Sequence, residues 1–131
     1  MSAEYLSDTV TIIRYFSKAG RIGKKAKEIL NGAEKGDYRI YISVITIVEI
    51  MYLSQKRRIR INLKDTIDLI GESANYSIVD LTPEIVMTSE NVPFPELLDR
   101  LIMSTAKHLA LPMLTCDKKI REAGIIETIW N

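Results

Sequence analysis

Short apolar strands alternating with helical segments predict an α/β fold of three layers, with helices covering both faces of a central parallel sheet. Two observations carry that prediction. Strand-like runs at Glu4–Ser7, Arg39–Ile42, Ser77–Leu81, 113–115 and 127–130 are separated by segments with helical caps and spacing. No repeat, low-complexity tract or long linker divides the chain, so residues 1–131 are expected to form one domain.

The elements follow in order. After the first strand, TVTIIRYF is helical, and Gly20 and Gly23 punctuate the chain before KKAKEILNGAEKG, a second helix expected to end near Asn31-Gly32 or Gly36. Ser43 or Thr46 caps the next helix, which is apolar nearly all round and is therefore expected to be buried. It ends in the basic run KRRIR, and Asn62 caps an amphipathic helix containing Asp65, Ile67, Leu69 and Ile70. Thr82-Pro83-Glu84 places proline in the first helical turn, where its missing N–H is harmless. NVPFP is a loop, because two prolines in three residues forbid a continuing helix. Glu96–Ala110 is the longest helix, with Leu98, Leu101, Ile102, Thr105 and Leu109 on one face, and Pro112 stops it. DKKIREAG is a short helix closing on Gly124.

With 47% hydrophobic and 27% charged residues, the chain has an ordinary globular composition. A net charge of +1 removes global attraction to polyanions, so any nucleic-acid affinity must come from local patches. The single cysteine, Cys116, cannot form an internal disulfide, which fits a reducing compartment. The opening MSAEYLSD lacks a secretory pattern, and Glu49 interrupts the apolar run 40–53 before it reaches the ~18 residues of a membrane span. A cytoplasmic protein with no membrane partner is expected.

Glu49 is the one charge in IYISVITIVEIMYL. Burying an isolated carboxylate costs several kcal/mol unless it is paired or protonated. Asp8, Asp99 and Asp117 sit at comparable places, where apolar segments end or a helix turns inward. Each has a modest explanation. Asp8 and Asp117 serve as helix N-caps, Glu49 forms a capping box with Thr46, and Asp99 pairs with Arg100 or Lys107. Together they point further, because Asp8 and Asp117 follow strands, and open parallel sheets bind ligands beyond the carboxyl ends of their strands. Glu96, three residues before Asp99 on the same helical face, is an outer fifth acid.

Four carboxylates within ~6 Å repel by ~3 kcal/mol per pair at an effective dielectric of about 20. Over all pairs that approaches the ~5–15 kcal/mol stability of a domain, so such a cluster must hold cations or take up protons. Oxygen ligands select Mg²⁺ or Mn²⁺, and lone His108 and Cys116 cannot make a zinc site. An ion held there would suit phosphodiester hydrolysis, polarising the phosphoryl oxygen and activating water. Without metal, Glu49 is expected to keep its proton most readily, because its sequence surroundings are the most apolar.

YLSDT, ISVITIVEIMYL, PELLDRLIMSTAKHLALPMLTCDKKI and ETIW together resemble the PIN-domain nucleases, specifically the small VapC-type toxin ribonucleases. The resemblance spans almost the whole chain. It matches the family's four acids to Asp8, to Glu49 in a pattern like S-x-x-T-x-x-E, to Asp99 in D-R-L-I-x-x-x-A, and to Asp117 in T-x-D. It implies a PIN-like domain acting as an endoribonuclease dependent on Mg²⁺ or Mn²⁺. Those four acids would be catalytic and metal-holding, with Glu96 outside them. It also implies a homodimer and a cognate antitoxin. Val10 departs from the small hydroxyl or amide that members carry two places after the first aspartate; Thr9 or Thr11 is the candidate substitute, and Thr115 of the T-x-D motif is an auxiliary hydroxyl beside the site.

RNA would need phosphate contacts beside an acidic crevice. Lys118 and Lys119, directly after Asp117, and Arg100 are the candidates, although exposed lysines at helix ends are routine and Arg100 is equally placed to order Asp99. Trp130 reads as an apolar plug. The rivals are a PIN-type module that binds RNA or protein without catalysis, supported by Val10, and a phospho-accepting receiver domain. YLSDT offers the latter only one of the paired acids it wants after the first strand.

Overall fold

A computed structural model describes residues 3–131; Met1 and Ser2, the head of the expected single-domain span, lie outside the described residues. The elements are β1 (Ala3–Ser7), α1 (Thr9–Ser17), α2 (Lys24–Glu34), β2 (Tyr38–Ser43), α3 (Val44–Gln55), α4 (Leu63–Glu72), β3 (Tyr76–Val79), α5 (Pro83–Ser89), α6 (Leu97–Leu109), β4 (Met113–Leu114), α7 (Lys118–Ala123) and β5 (Thr128–Ile129). The strands order as β3-β2-β1-β4-β5, and every neighbouring pair is parallel. The chain builds outward from β1 to β3, then returns to place β4 on the other side of β1. The seam between β1 and β4 is the switch point at which open α/β sheets bind ligands.

Alternation along the strands creates two cores. Ile40, Ile42 and Leu114 pack on one face with Ile12, Leu30, Ile50 and Ile70 from α1, α2, α3 and α4. Leu6 and Met113 pack on the other with Ile102, Met103 and Ala106 of α6 and Ile120 of α7. Adjacent strand residues point to opposite faces, which is why Met113 and Leu114 belong to different cores. The three-layer α/β/α expectation is therefore met.

Several local expectations need correcting. Helix α3 is not buried all round: Val48, Met51 and Tyr52 are 46, 38 and 51% exposed. Ser43, not Thr46, caps it, accepting from the Ile45 N–H at 3.0 Å. Helix α2 continues through Gly32 to Glu34, and the turn comes at Gly36, whose φ of +90° suits glycine. Gly32 answers to packing, since a Cβ there would lie 2.5 Å from the Tyr38 ring. Glu96 lies just outside α6 as its N-cap, accepting from the Leu98 and Asp99 N–H groups.

Trp130 is buried in the first core, as its role as a plug requires. Its carbonyl accepts the Ala26 N–H at 3.0 Å, joining the chain's end to the start of α2. Gly23 sits beside that carbonyl, and a Cβ there would fall 2.3 Å from it. Backbone cannot move aside as a side-chain tip can. Gly23→Ala is expected to lower stability by about 1–3 kcal/mol, measured as a fall in urea midpoint with unchanged slope.

Candidate active site

Asp8 is the residue after β1 and Asp117 follows β4 by three, so the parallel pairing of those strands brings both acids to the carboxyl end of the switch seam. Both do cap helices, as their local sequence suggests. Asp8 Oδ1 accepts the Thr11 N–H at 2.9 Å, and Asp117 Oδ1 accepts the Lys119 and Ile120 N–H groups at 2.8 and 3.2 Å. Capping and site membership are compatible, because a carboxylate has four lone-pair positions and a cap uses one or two. Thr115, fully buried, ties the two together: its hydroxyl accepts the Asp117 N–H at 3.1 Å and bonds to the Asp8 carboxylate.

Glu49 is not in a capping box with Thr46. The Thr9 hydroxyl donates to Glu49 Oε1 at 2.6 Å and stands 2.9 Å from the Thr46 hydroxyl. Thr9 has one proton and gives it to the carboxylate, so Thr46 must donate to Thr9. The relay Thr46→Thr9→Glu49 explains the spacing of Ser43, Thr46 and Glu49: the first caps α3, the second anchors the relay and the third carries the acid. Val10 is 44% exposed, while Thr9 beside it supplies the buried hydroxyl.

The five acids feel one another's charge. Burial raises the Asp8 carboxyl, opposed by hydrogen bonds from Thr115 and Thr11, with Asp117 adding to the rise. Burial also raises Glu49, against the Thr9 hydrogen bond, and Glu96 and Asp8 push the same way. Asp99 is pushed up to about 7, first by burial, then by the charge and hydrogen bond of Glu96, then by Glu49 and Asp117. Asp99, rather than Glu49, is thus an acid poised to hold a proton near neutrality. Glu49's apolar sequence neighbours partly face solvent, whereas Asp99 stands among three other acids.

Among the described residues no lysine or arginine forms an ion pair with these acids. Among the described residues the ion pairs are Lys64–Asp68 and Lys118–Glu122, both between exposed side chains. Asp99 pairs with neither Arg100 nor Lys107, and the buried Arg100 Nε has no hydrogen-bond partner among the described residues. Lys118 and Lys119 are exposed on the first turn of α7, with Lys118 directed to Glu122 at 3.7 Å. Sequence reasoning passed over Thr46 as a site residue; its place in S-x-x-T-x-x-E was the available signal.

Among the described residues no group of three or more His, Cys, Asp or Glu side chains is arranged to hold a metal ion. The all-oxygen donor set fits Mg²⁺ or Mn²⁺ and disfavours zinc.

The PIN domain family model matches residues 5–126. The chain belongs to the PIN domain family. No curated protein sequence matches it. Among solved structures, a chain of the VapBC2 complex of Rickettsia felis, bound to a DNA fragment from its promoter, superposes with a TM-score of 0.71 at 16% identity, covering 98% of this chain and 99% of that one. A chain of a toxin–antitoxin complex from Klebsiella pneumoniae gives 0.66 at 25% identity, covering 95% of each. DNA-bound VapBC from Salmonella typhimurium gives 0.69 at 17%, covering 98% of each. Metal-dependent ribonuclease is the typical activity of PIN domains, which generally use divalent ions such as Mg²⁺. No helix among the described residues is long and apolar enough to cross a membrane.

The raised carboxyls of this PIN domain set a pH dependence. Groups that bind protons more tightly folded than unfolded stabilise the fold at low pH and lose that effect as pH rises through the folded value. In EDTA, stability to urea is expected to fall between about pH 4 and pH 8, passing through the Asp99 value of about 7. Asp99→Asn should flatten that fall. A metal-free stability that rises over the same interval would contradict the coupled acids.

Proposed function

We propose that this PIN domain, residues 1–131, is an Mg²⁺- or Mn²⁺-dependent endoribonuclease of the cytoplasm, the toxin of a toxin–antitoxin pair. The single observation carrying this reading is a set of acids at the switch seam that repel one another with no protein cation to relieve them. Asp8, Glu49, Asp99 and Asp117 would hold the ion, with Glu96 outside them. A bound ion would polarise the scissile phosphoryl oxygen and make water a stronger nucleophile at neutral pH.

The remaining work falls to the chain's own groups. Hydrogen bonds from Thr115 and Thr11 offset part of the rise that burial imposes on Asp8, because hydrogen bonds to a carboxylate favour its charge. Thr9, fixed by Thr46, does the same for Glu49. Asp99, whose carboxyl is pushed up to about 7 while no ion is bound, would give up that proton as a divalent cation enters, so ion binding is expected to release protons near neutrality. Lys118 and Lys119, with Arg100, are candidates for phosphate contact. The likeness to toxin–antitoxin complexes supports an antitoxin partner. The exposed apolar side of α3, with Val48, Met51 and Tyr52, supports a homodimer.

Asp8→Asn and Asp99→Asn should each abolish Mg²⁺-dependent cleavage of a single-stranded RNA while keeping the wild-type circular dichroism spectrum. Retained cleavage in either would sink the assignment. Thr46→Val, which never touches the ion, should lower kcat/KM about 10–100-fold, the usual effect of losing a group that orients a metal ligand. Mn²⁺ titration should raise the melting temperature, by the equivalent of about 2.7 kcal/mol at a hundred times Kd. An unresponsive melting temperature would favour the non-catalytic binding module.

A further inference from the structure

A cavity of ≈ 690 Å³ opens between α1, α2, α4 and β3, on the face of the sheet that holds the first core. Its size falls in the roughly 300–1,000 Å³ range of small-ligand sites. Arg14, Lys18 and Lys27 stand on its wall against one acid, Glu34, and Tyr15, Phe16 and Tyr76 give it an aromatic lining. Arg14 joins this cavity to the acid site. Its Nη1 donates to the Arg21 carbonyl at 2.8 Å and lies 3.9 Å from the sulfur of Cys116, the residue directly before Asp117. The side chain lies against Gly20, where a Cβ would come within 3.0 Å of it.

A second observation points to a ligand. Tyr76 is only 8% exposed, yet its hydroxyl has no hydrogen-bond partner among the described residues. Buried hydroxyls are ordinarily satisfied. Glu34 is close enough for its charge to act on both Tyr76 and Tyr15, and the Tyr15 hydroxyl lies 3.3 Å from Asn31 Oδ1. Donors and acceptors therefore gather where a planar, polar-edged group could meet them.

We propose that this cavity is a subsite for one nucleotide of single-stranded RNA next to the cleaved phosphate, with Arg14 gripping the phosphate between the two. The proposal rests on the ribonuclease reading above. Single-strand binding sites combine a positive track for the backbone with aromatic faces for the bases. An arginine fork suits a phosphate better than any other side chain. Three cations to one acid favour a polyanion over an apolar protein segment.

Fluorescence anisotropy with a labelled, unstructured RNA of about eight nucleotides, in EDTA, tests the subsite without cleavage. The wild-type chain should bind with a salt-dependent Kd. Arg14→Gln and Lys27→Glu should each weaken binding about ten-fold and reduce the salt slope by about 1. Lys107→Glu, on exposed α6 against the other core, should change neither. Lys27 is exposed, so its replacement keeps the test valid if Arg14→Gln folds poorly. Undetectable wild-type binding, or unchanged affinity in both cavity variants, would overturn the proposal; the latter would leave the cavity to a protein partner. Absence of Mg²⁺-dependent cleavage by the wild type would sink the ribonuclease reading while leaving this binding result standing.

Discussion

Mutual repulsion among five carboxylates at the β1–β4 seam is the constraint around which the rest of this structure is arranged. Asp8, Glu49, Glu96 with Asp99, and Asp117 arrive from four separate stretches of chain, and no lysine or arginine pairs with any of them among the described residues. The fold tolerates the repulsion by distributing it. Asp8, Glu96 and Asp117 spend lone pairs on helix N-terminal N–H groups, where the positive end of the helix favours a negative charge. Threonine hydroxyls hold Asp8 and Glu49. Asp99, left among three acids on a half-buried helix face, relieves its share by keeping a proton to about pH 7.

Two cores make that arrangement possible. Each face of a narrow parallel sheet is covered, so β1 and β4 lie between helical layers. Helix α3 connects the layers, with Ile45 in one core and Ile50 in the other. Glu49 rides on that helix. Its position relative to Asp8 is therefore set by packing on both sides of the sheet, then completed by Thr9 and Thr46. A carboxylate on a loop would have no comparable restraint.

In the proposed function, the repulsion would also be a reservoir of metal affinity. A site whose members are held apart by like charge gains when a divalent cation enters, and protons compete for the same carboxylates. Arg14 belongs to the same electrostatic picture from outside. It is near enough to act on Cys116, between the acids and the cavity of the first core, without pairing with an acid.

Much of this was legible in the chain before folding. The strand–helix alternation, the caps Asp8, Asn62, Thr82 and Asp117, and the loop at NVPFP follow from local rules of backbone geometry and hydrogen bonding, which short stretches of sequence carry. The four acids stood out because charge beside apolar runs is costly wherever it occurs. What tertiary structure alone decided concerns distances between remote residues and access to solvent. Helix α3 reads as uniformly apolar, yet one side of it faces outward, because only packing partners determine which side is covered. The capping box at Thr46 gave way to a relay through Thr9, which lies 37 residues earlier in sequence. Asp99, rather than Glu49, became an acid held near neutrality, because folding buries its carboxyl beside Glu96 and then brings Glu49 and Asp117 near it.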